Sequence, residues 1–203
     1  MLKHRLIPNI ILNNGNVVQS RNFKHTNVVG NAITAVDFFN SWAVDEIIVL
    51  DVSRDLKNRE RFLKIINGLS KRCFVPLTVG GWIESIEDIT YLLQNGADKV
   101  SINTQAVKNP ELIRKASNRF GSQCIVVSID VKKNDSSEYE VYINRGKDPT
   151  NIEPVKWAQT VERDGAGEIF LTSIDRDGTK RGYDLELVKE VSDSVGIPVI
   201  AFG

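Results

Sequence analysis

Gly167-Glu168-Ile169-Phe170-Leu171-Thr172-Ser173-Ile174-Asp175-Arg176-Asp177-Gly178-Thr179-Lys180-Arg181-Gly182-Tyr183-Asp184 packs an apolar run, a polar loop and a helix start into one short stretch. Ile169 to Leu171 reads as a buried strand. Asp175, Asp177, Gly178 and Thr179 follow it as carboxylate, hydroxyl and unhindered backbone N–H groups. A (β/α)8 barrel builds its site in this way, from the loops after its parallel strands. Chemistry is expected at the C-terminal end of this strand.

The same unit recurs along the chain. Leu6 to Leu12, Glu46 to Leu50, Pro76 to Val79, Lys99 to Ile102, Ile125 to Ile129, Glu168 to Leu171 and Pro198 to Ala201 read as seven buried strands. Between them Ile33 to Ser41, Arg59 to Ser70, Ile86 to Asn95, Pro110 to Phe120, Pro154 to Asp164 and Asp184 to Ser194 show helical periodicity. Such alternation predicts βαβ units and a parallel sheet. Asn134 to Tyr139 and Val141 to Ile143 read as a small hairpin after strand five, with turn chemistry at Asp135-Ser136-Ser137.

Glu46-Ile47-Ile48-Val49-Leu50 matches Glu168-Ile169-Phe170-Leu171 at an offset of 122 (168 − 46), and Pro76 to Gly81 matches Pro198 to Gly203 at the same offset. Two segments in one register point to duplicated half-barrels. The first half continues through Gly96 to Asn103, so an eighth strand is expected beyond Gly203. The fold class is therefore α/β, a TIM (β/α)8 barrel in one domain over residues 1–203, with seven strands and the last βα unit absent. A gap between the first and seventh strands and a tendency to associate are the corollaries.

Composition narrows the function classes. Charged residues make up 26% of the chain and hydrophobic residues 41%, with 26 basic against 26 acidic side chains. That balance favours neither nucleic acid nor a membrane surface. No apolar run reaches the roughly 18 residues of a membrane span, and a cytoplasmic location is expected. Cys73 and Cys124 form no CxxC pair, and His4 and His25 have no ligand-like spacing, so neither a metal nor a cofactor is expected.

Gly81, the Asn103-Thr104 pair, the Asp177-Gly178 pair and Gly203 lie at strand ends, where backbone N–H groups can close on a phosphate; tight turns need such glycines as well. Asp130, after the apolar run Ile125 to Ile129, is a carboxyl with apolar neighbours, fit for acid–base work or for capping a loop. At the opposite strand ends stand Arg5, Glu46, Lys99 and Glu168, charges of alternating sign that can pair in a ring, whether for passage or for stability alone.

The wording of Gly96 to Asn109, Phe120-Gly121-Ser122-Gln123-Cys124-Ile125-Val126-Val127 and Gly165 to Asp184 closely resembles the HisF family, the cyclase subunits of imidazole glycerol phosphate synthase. The resemblance implies phosphate binding by the strand-end residues above. It implies proton transfer by Asp130, and ammonia entry through Arg5, Glu46, Lys99 and Glu168 from a docked HisH-type glutaminase. Asp45, Asp98 and Gln123 correspond to the family's glutaminase contact surface, with Asp98 in the switch that activates it. Four positions depart from the family: Ile11 replaces a catalytic aspartate, Gln19 a substrate-contacting lysine, Trp82 the third glycine of a GGG turn, and Phe202 the serine of the seventh-strand turn.

Intact ammonia entry without the first carboxylate resembles the HisF-like glycosyl amidation proteins (AglZ type) of surface-polysaccharide gene clusters. On that reading the barrel conducts ammonia to a sugar amidotransferase, and Asp51, Thr78, Asn103, Thr172 and Ser173 line a polar inner path or simply pack. The alternatives are a true cyclase of histidine biosynthesis, acting on a small phosphorylated substrate, and a scaffold that only activates the glutaminase.

Overall fold

Strands form where apolar residues run together, and helices form where they recur every three or four positions. The computed structural model describes residues 4–55 and 57–203. The chain opens with three strands, β1 (Asn9–Asn13), β2 (Asn16–Arg21) and β3 (His25–Gly30). It then alternates as α1 (Ala32–Ser41), β4 (Ile47–Asp51), α2 (Lys57–Ser70), β5 (Leu77–Gly80), α3 (Ile86–Gln94), β6 (Lys99–Ile102), α4 (Thr104–Lys108) and α5 (Glu111–Phe120). The remainder is β7 (Ile125–Lys133), β8 (Tyr139–Ile143), β9 (Asp148–Pro149), α6 (Pro154–Arg163), β10 (Glu168–Ser173), α7 (Leu185–Ser194) and β11 (Val199–Phe202). The fold is α/β, of the TIM (β/α) barrel type, and seven of the described strands run parallel.

Two compact units divide the described residues, one from residues 4–19 and 27–101, the other from residues 20–26 and 102–203. In the first, β6, β5, β4 and β1 lie side by side in parallel, and β2 pairs antiparallel with β1. In the second, β11, β10 and β7 are parallel, and β8 pairs antiparallel with β7. The sequence offset of 122 persists in space, since β5 and β11 begin at 77 and 199 and end at 80 and 202.

Three elements differ from expectation. β1 starts at Asn9 rather than Leu6, because Pro8 offers no N–H to a ladder and Leu6 stays exposed. Asn14 and Gly15 turn with positive φ, 51° and 74°, and fold β2 back on β1. An Asn-Gly pair favours this tight hairpin because both central residues of a type I′ turn are left-handed. β7 runs on to Lys133 before its hairpin, whose turn is closed by Asn134 Oδ1 accepting the Ser136 and Glu138 N–H groups, each at 3.0 Å.

The parallel strands β4, β5, β7 and β10 are buried on both faces. Ile47 to Val49, Val79, Val100, Ile125 to Val127 and Ile169 to Leu171 are all buried, and α5 turns Leu112, Ile113 and Ala116 inward. Helix starts are fastened locally. Ser85 and Asp88 form a reciprocal capping box on α3, and Asp184 caps α7 by accepting the Leu187 N–H. Each such cap contributes about 1 kcal/mol. No helix among the described residues is long and apolar enough to cross a membrane.

Candidate functional site

Residues paired across parallel strands point to one face, so register sorts the first unit into layers. Asn9, Ile48, Thr78 and Lys99 form one layer, and Ile11, Leu50, Gly80 and Ser101 form the next toward the strand C-termini. Below them Glu46, only 2% exposed, receives Lys99 Nζ at 2.8 Å, Arg5 Nη1 at 3.2 Å and Thr78 Oγ1 at 2.6 Å. A buried carboxylate is tolerable when it is paired in this way. Three of the four expected ring charges are thus brought together. Glu168, the fourth, opens β10 in the second unit and is half-buried.

Parity also corrects the inner path. Thr78 in the first unit shares the face of Ile48 and Lys99, and Thr172 in the second that of Asp130. Asp51 pairs with Leu12, and Ser173 with Val131, which puts both on the opposite face. Asp51 there accepts the Ser53 N–H at 2.6 Å, and Ser173 donates to Asp184 at 3.4 Å. Burial raises the Asp51 pKa. In their place the layers offer Asn9 Oδ1 and Ser101 Oγ, buried atoms without a hydrogen-bond partner among the described residues. A lone polar residue two positions before Ile11 was the available signal for Asn9.

In the second unit Asp130, Thr172 and Phe202 share one layer, with Ser128, Phe170 and Ile200 beneath it. Asp130 is 7% exposed and receives Asn103 Nδ2 at 3.2 Å on one oxygen and Ser128 Oγ at 3.4 Å on the other. Asn103 also donates to the Ser128 carbonyl at 3.0 Å, which fixes its amide. Burial drives the Asp130 carboxyl up to about 7, with the charge of Asp177 adding and the Ser128 and Asn103 hydrogen bonds opposing. A carboxyl titrating near neutrality can both give and take a proton. Phe202 meets Phe170 at 5.5 Å between ring centroids and stands 122 residues on from Gly80, where an added Cβ would lie 2.5 Å from Leu50 Cδ2.

The strand-end glycines have steric reasons of their own. Gly81 sits at φ 112°, and a Cβ there would lie 2.7 Å from the Asp51 carbonyl oxygen. Gly203, at φ 133°, would strike the Ser173 oxygen at 2.8 Å. Trp82, which follows Gly81, adopts φ 61° and buries its indole Nε1. A bulky residue in left-handed backbone costs about 1–2 kcal/mol. Thr104 opens α4 and accepts the Asn144 N–H at 3.0 Å. Asp177 and Gly178 clasp the chain near residue 20, because Ser20 Oγ donates to Asp177 Oδ2 at 2.6 Å and a Cβ on Gly178 would lie 2.1 Å from the Ser20 oxygen.

The three rim residues lie at the strand starts. Asp45 and Asp98 do more than meet solvent, since their carboxylates accept the N–H of Leu6 and of Leu77, each at 2.8 Å. Gln123 is exposed and folds against Gly121. Among the described residues no cluster of His, Cys, Asp and Glu could hold a metal ion.

The model of a family described as histidine biosynthesis protein matches residues 5–203. Two curated relatives, each an imidazole glycerol phosphate synthase subunit HisF, come from Clostridium botulinum strains Okra (Type B1) and Kyoto (Type A2). Each is 46% identical to this chain over 204 aligned positions, which cover 100% of the chain and 81% of the relative.

Proposed function

Because this chain belongs to the histidine biosynthesis protein family, we propose that it is a HisF-type synthase subunit that takes ammonia from a HisH-type glutaminase. On this reading it closes the imidazole ring of imidazole glycerol phosphate, the product in the names of its curated relatives, and cleaves the phosphoribosyl-formimino precursor. The observation that carries this reading is Asp130, a buried carboxyl near the end of the stretch of β7 that pairs in parallel with β10, held by Asn103 and Ser128. In its acid form Asp130 protonates the departing nitrogen. As the carboxylate it then removes the proton released on ring closure, so one group serves both halves of the reaction. The Arg5–Glu46–Lys99 cluster supports an ammonia entry at the other strand ends. The strand-end residues Gly81, Asn103, Thr104, Asp177, Gly178 and Gly203 are assigned to the substrate phosphates, and Asp45, Asp98 and Gln123 to the glutaminase.

The test is ammonium-dependent turnover of the precursor. Asp130→Asn should lower kcat about 10²- to 10⁴-fold. Parent protein that forms no imidazole product, with ammonium or with its glutaminase, overturns the reading.

Ile11 favours a second reading. It occupies the layer of Leu50, Gly80 and Ser101, so no carboxylate stands there. The barrel then passes ammonia to a sugar amidotransferase of polysaccharide biosynthesis. Amidated sugar formed only when this protein, its glutaminase and that enzyme are combined would favour it over the cyclase.

A further inference from the structure

The hairpins that turn at Asn14 and at Asn134 are closed in different ways. Asn134 fastens its own turn through its side chain, whereas Asn14 is held from outside, by the segment that joins β4 to α2 and by α2 itself. The Asn14 N–H donates to Ser53 Oγ at 2.7 Å, Arg61 Nη1 donates to the Asn14 carbonyl at 2.8 Å, and Asn58 Nδ2 donates to Asn14 Oδ1 at 2.9 Å. Arg61 also lies over the next residue, since a Cβ on Gly15 would collide with its guanidinium. One residue with φ 51° thus engages both of its backbone groups and its side-chain oxygen on other elements.

Ser53 is itself held. Its N–H donates to Asp51 Oδ1 at 2.6 Å, and its hydroxyl also bonds the Asp51 carboxyl. A serine hydroxyl has one proton to give and lone pairs with which to receive, so the proton directed at Asp51 leaves a lone pair turned to the Asn14 N–H. Asp51 ends β4 and is buried, and Gly81, just after β5, packs on it so closely that an added Cβ would lie 3.0 Å from Asp51 Cβ. Burial raises the Asp51 pKa, while hydrogen bonds from Ser53 and from the Trp82 indole favour its charged form. Between Asp51 and Ser53, the Val52 N–H donates to the Leu12 carbonyl at 2.8 Å. Trp82, Asp51, Ser53 and Asn14 therefore join the ends of β5, β4 and β1 in that order, all within the first unit.

We propose that Ser53, oriented by Asp51, is a positioning residue that fixes the β1–β2 hairpin and with it the end of β1. Ile11 lies three positions before Asn14, in the layer of Leu50, Gly80 and Ser101 toward the strand C-termini, where a barrel of this type does its chemistry. A two-stranded hairpin is marginal by itself, so the bonds that reach it from α2 and the β4 end decide where it rests. A misplacement of about 1 Å in a reacting layer can cost on the order of 10²-fold in rate, far more than the loss of one hydrogen bond at an exposed turn costs the fold. Only the effect on turnover rests on the cyclase reading; the attachment of the hairpin does not.

Amide hydrogen exchange of the full chain, read beside ammonium-dependent turnover of the precursor, tests this. Ser53→Ala should speed exchange at Asn14 by about tenfold or more, and should lower kcat by about fivefold or more with KM changed less than about twofold. Ser53→Thr keeps the hydroxyl and should restore both. Ser85→Ala, which removes the cap of α3, is the control for lost stability and should leave both as in the parent. Circular dichroism checks folding, and if Ser53→Ala unfolds, Arg61→Ala should still speed exchange at Asn14 by about threefold. Exchange in the folded variants equal to that of the parent overturns the assignment, as does Ser53→Thr behaving like Ser53→Ala. So does a kcat that stays unchanged beside faster exchange, or that falls as far in Ser85→Ala. If the parent itself shows no turnover, faster exchange in Ser53→Ala with recovery in Ser53→Thr still supports the attachment, and the failure belongs to the cyclase reading.

Discussion

The Asp98 carboxylate accepts the Leu77 N–H at 2.8 Å, while the Asp98 N–H donates to the Leu77 carbonyl at 2.9 Å. Asp45 and Leu6 repeat this reciprocal pair at the start of β1, at 2.8 and 3.0 Å. A rim acid therefore fastens the strand beside it as well as presenting charge. Asp98→Ala should lose about 1 kcal/mol of stability through the unsatisfied N–H, and Asp98→Asn, whose amide oxygen can still accept, much less. Both should lose glutaminase stimulation if the charge is what the partner reads. Denaturant melts and a glutamine hydrolysis assay separate the two effects, and full stimulation by Asp98→Asn would remove the charge from the docking assignment.

Asp130 sets a pH dependence opposite to that of most carboxyls. Its folded pKa, about 7, lies above the unfolded value near 4, so the folded state binds the extra proton. The group is no burden below about pH 4, and it destabilises progressively as pH rises toward 7. Asp130→Asn should therefore gain stability over the parent across that window, by a few kcal/mol at most. Equal melting temperatures at pH 5 and pH 8 in both proteins would contradict the burial argument.

Lys99 and Arg5 compensate a carboxylate that water barely reaches. Lys99→Met removes the nearer cation from Glu46, and the loss should be on the order of 3 kcal/mol. Adding Glu46→Gln should restore part of it, because the charge left unpaired is then gone. Additive losses in the double variant would show that the two side chains do not act as a pair.

Ile11→Asp is the informative gain-of-function change. Register puts position 11 beside Leu50, in the layer of Gly80 and Ser101. A carboxylate there should raise cyclase kcat tenfold or more if proton transfer limits the reaction, with Trp82→Gly adding to the gain by freeing the turn. No change in either variant, with substrate still bound, would mean that a different step limits turnover.

Gly178 has a steric reason of its own beside the phosphate role proposed for it. At φ 65°, with a Cβ predicted 2.1 Å from the Ser20 oxygen, Gly178→Ala should destabilise by more than about 1 kcal/mol through strain and collision together. Chemical denaturation reads this directly, and a neutral substitution would show that the segment around residue 20 can lift away.

Strand and helix order was legible because buried parallel strands are apolar throughout and the helices between them are amphipathic. The hairpin at Asn14-Gly15 has no place in the reading of Leu6 to Leu12 as one strand, although an Asn-Gly pair is a turn signal. Asp51 was misjudged because a polar residue at a strand end does not reveal its face. Only the pairing with Leu12 assigns it. The clasp of Ser20 on Asp177 was invisible, since the two are far apart in the chain and each is an ordinary polar residue until the fold joins them.

Ser20 and Asp177 are 157 residues apart, and the Ser20 hydroxyl meets its carboxylate at 2.6 Å. At a synthesis rate of about 5–20 residues per second, the segment around Ser20 leaves the ribosome some ten to thirty seconds before its anchor exists. During that interval it is an unattached basic arm open to proteases and chaperones. Slowing translation between Ser20 and Asp177 should prolong its cleavage in nascent chains without changing the finished protein.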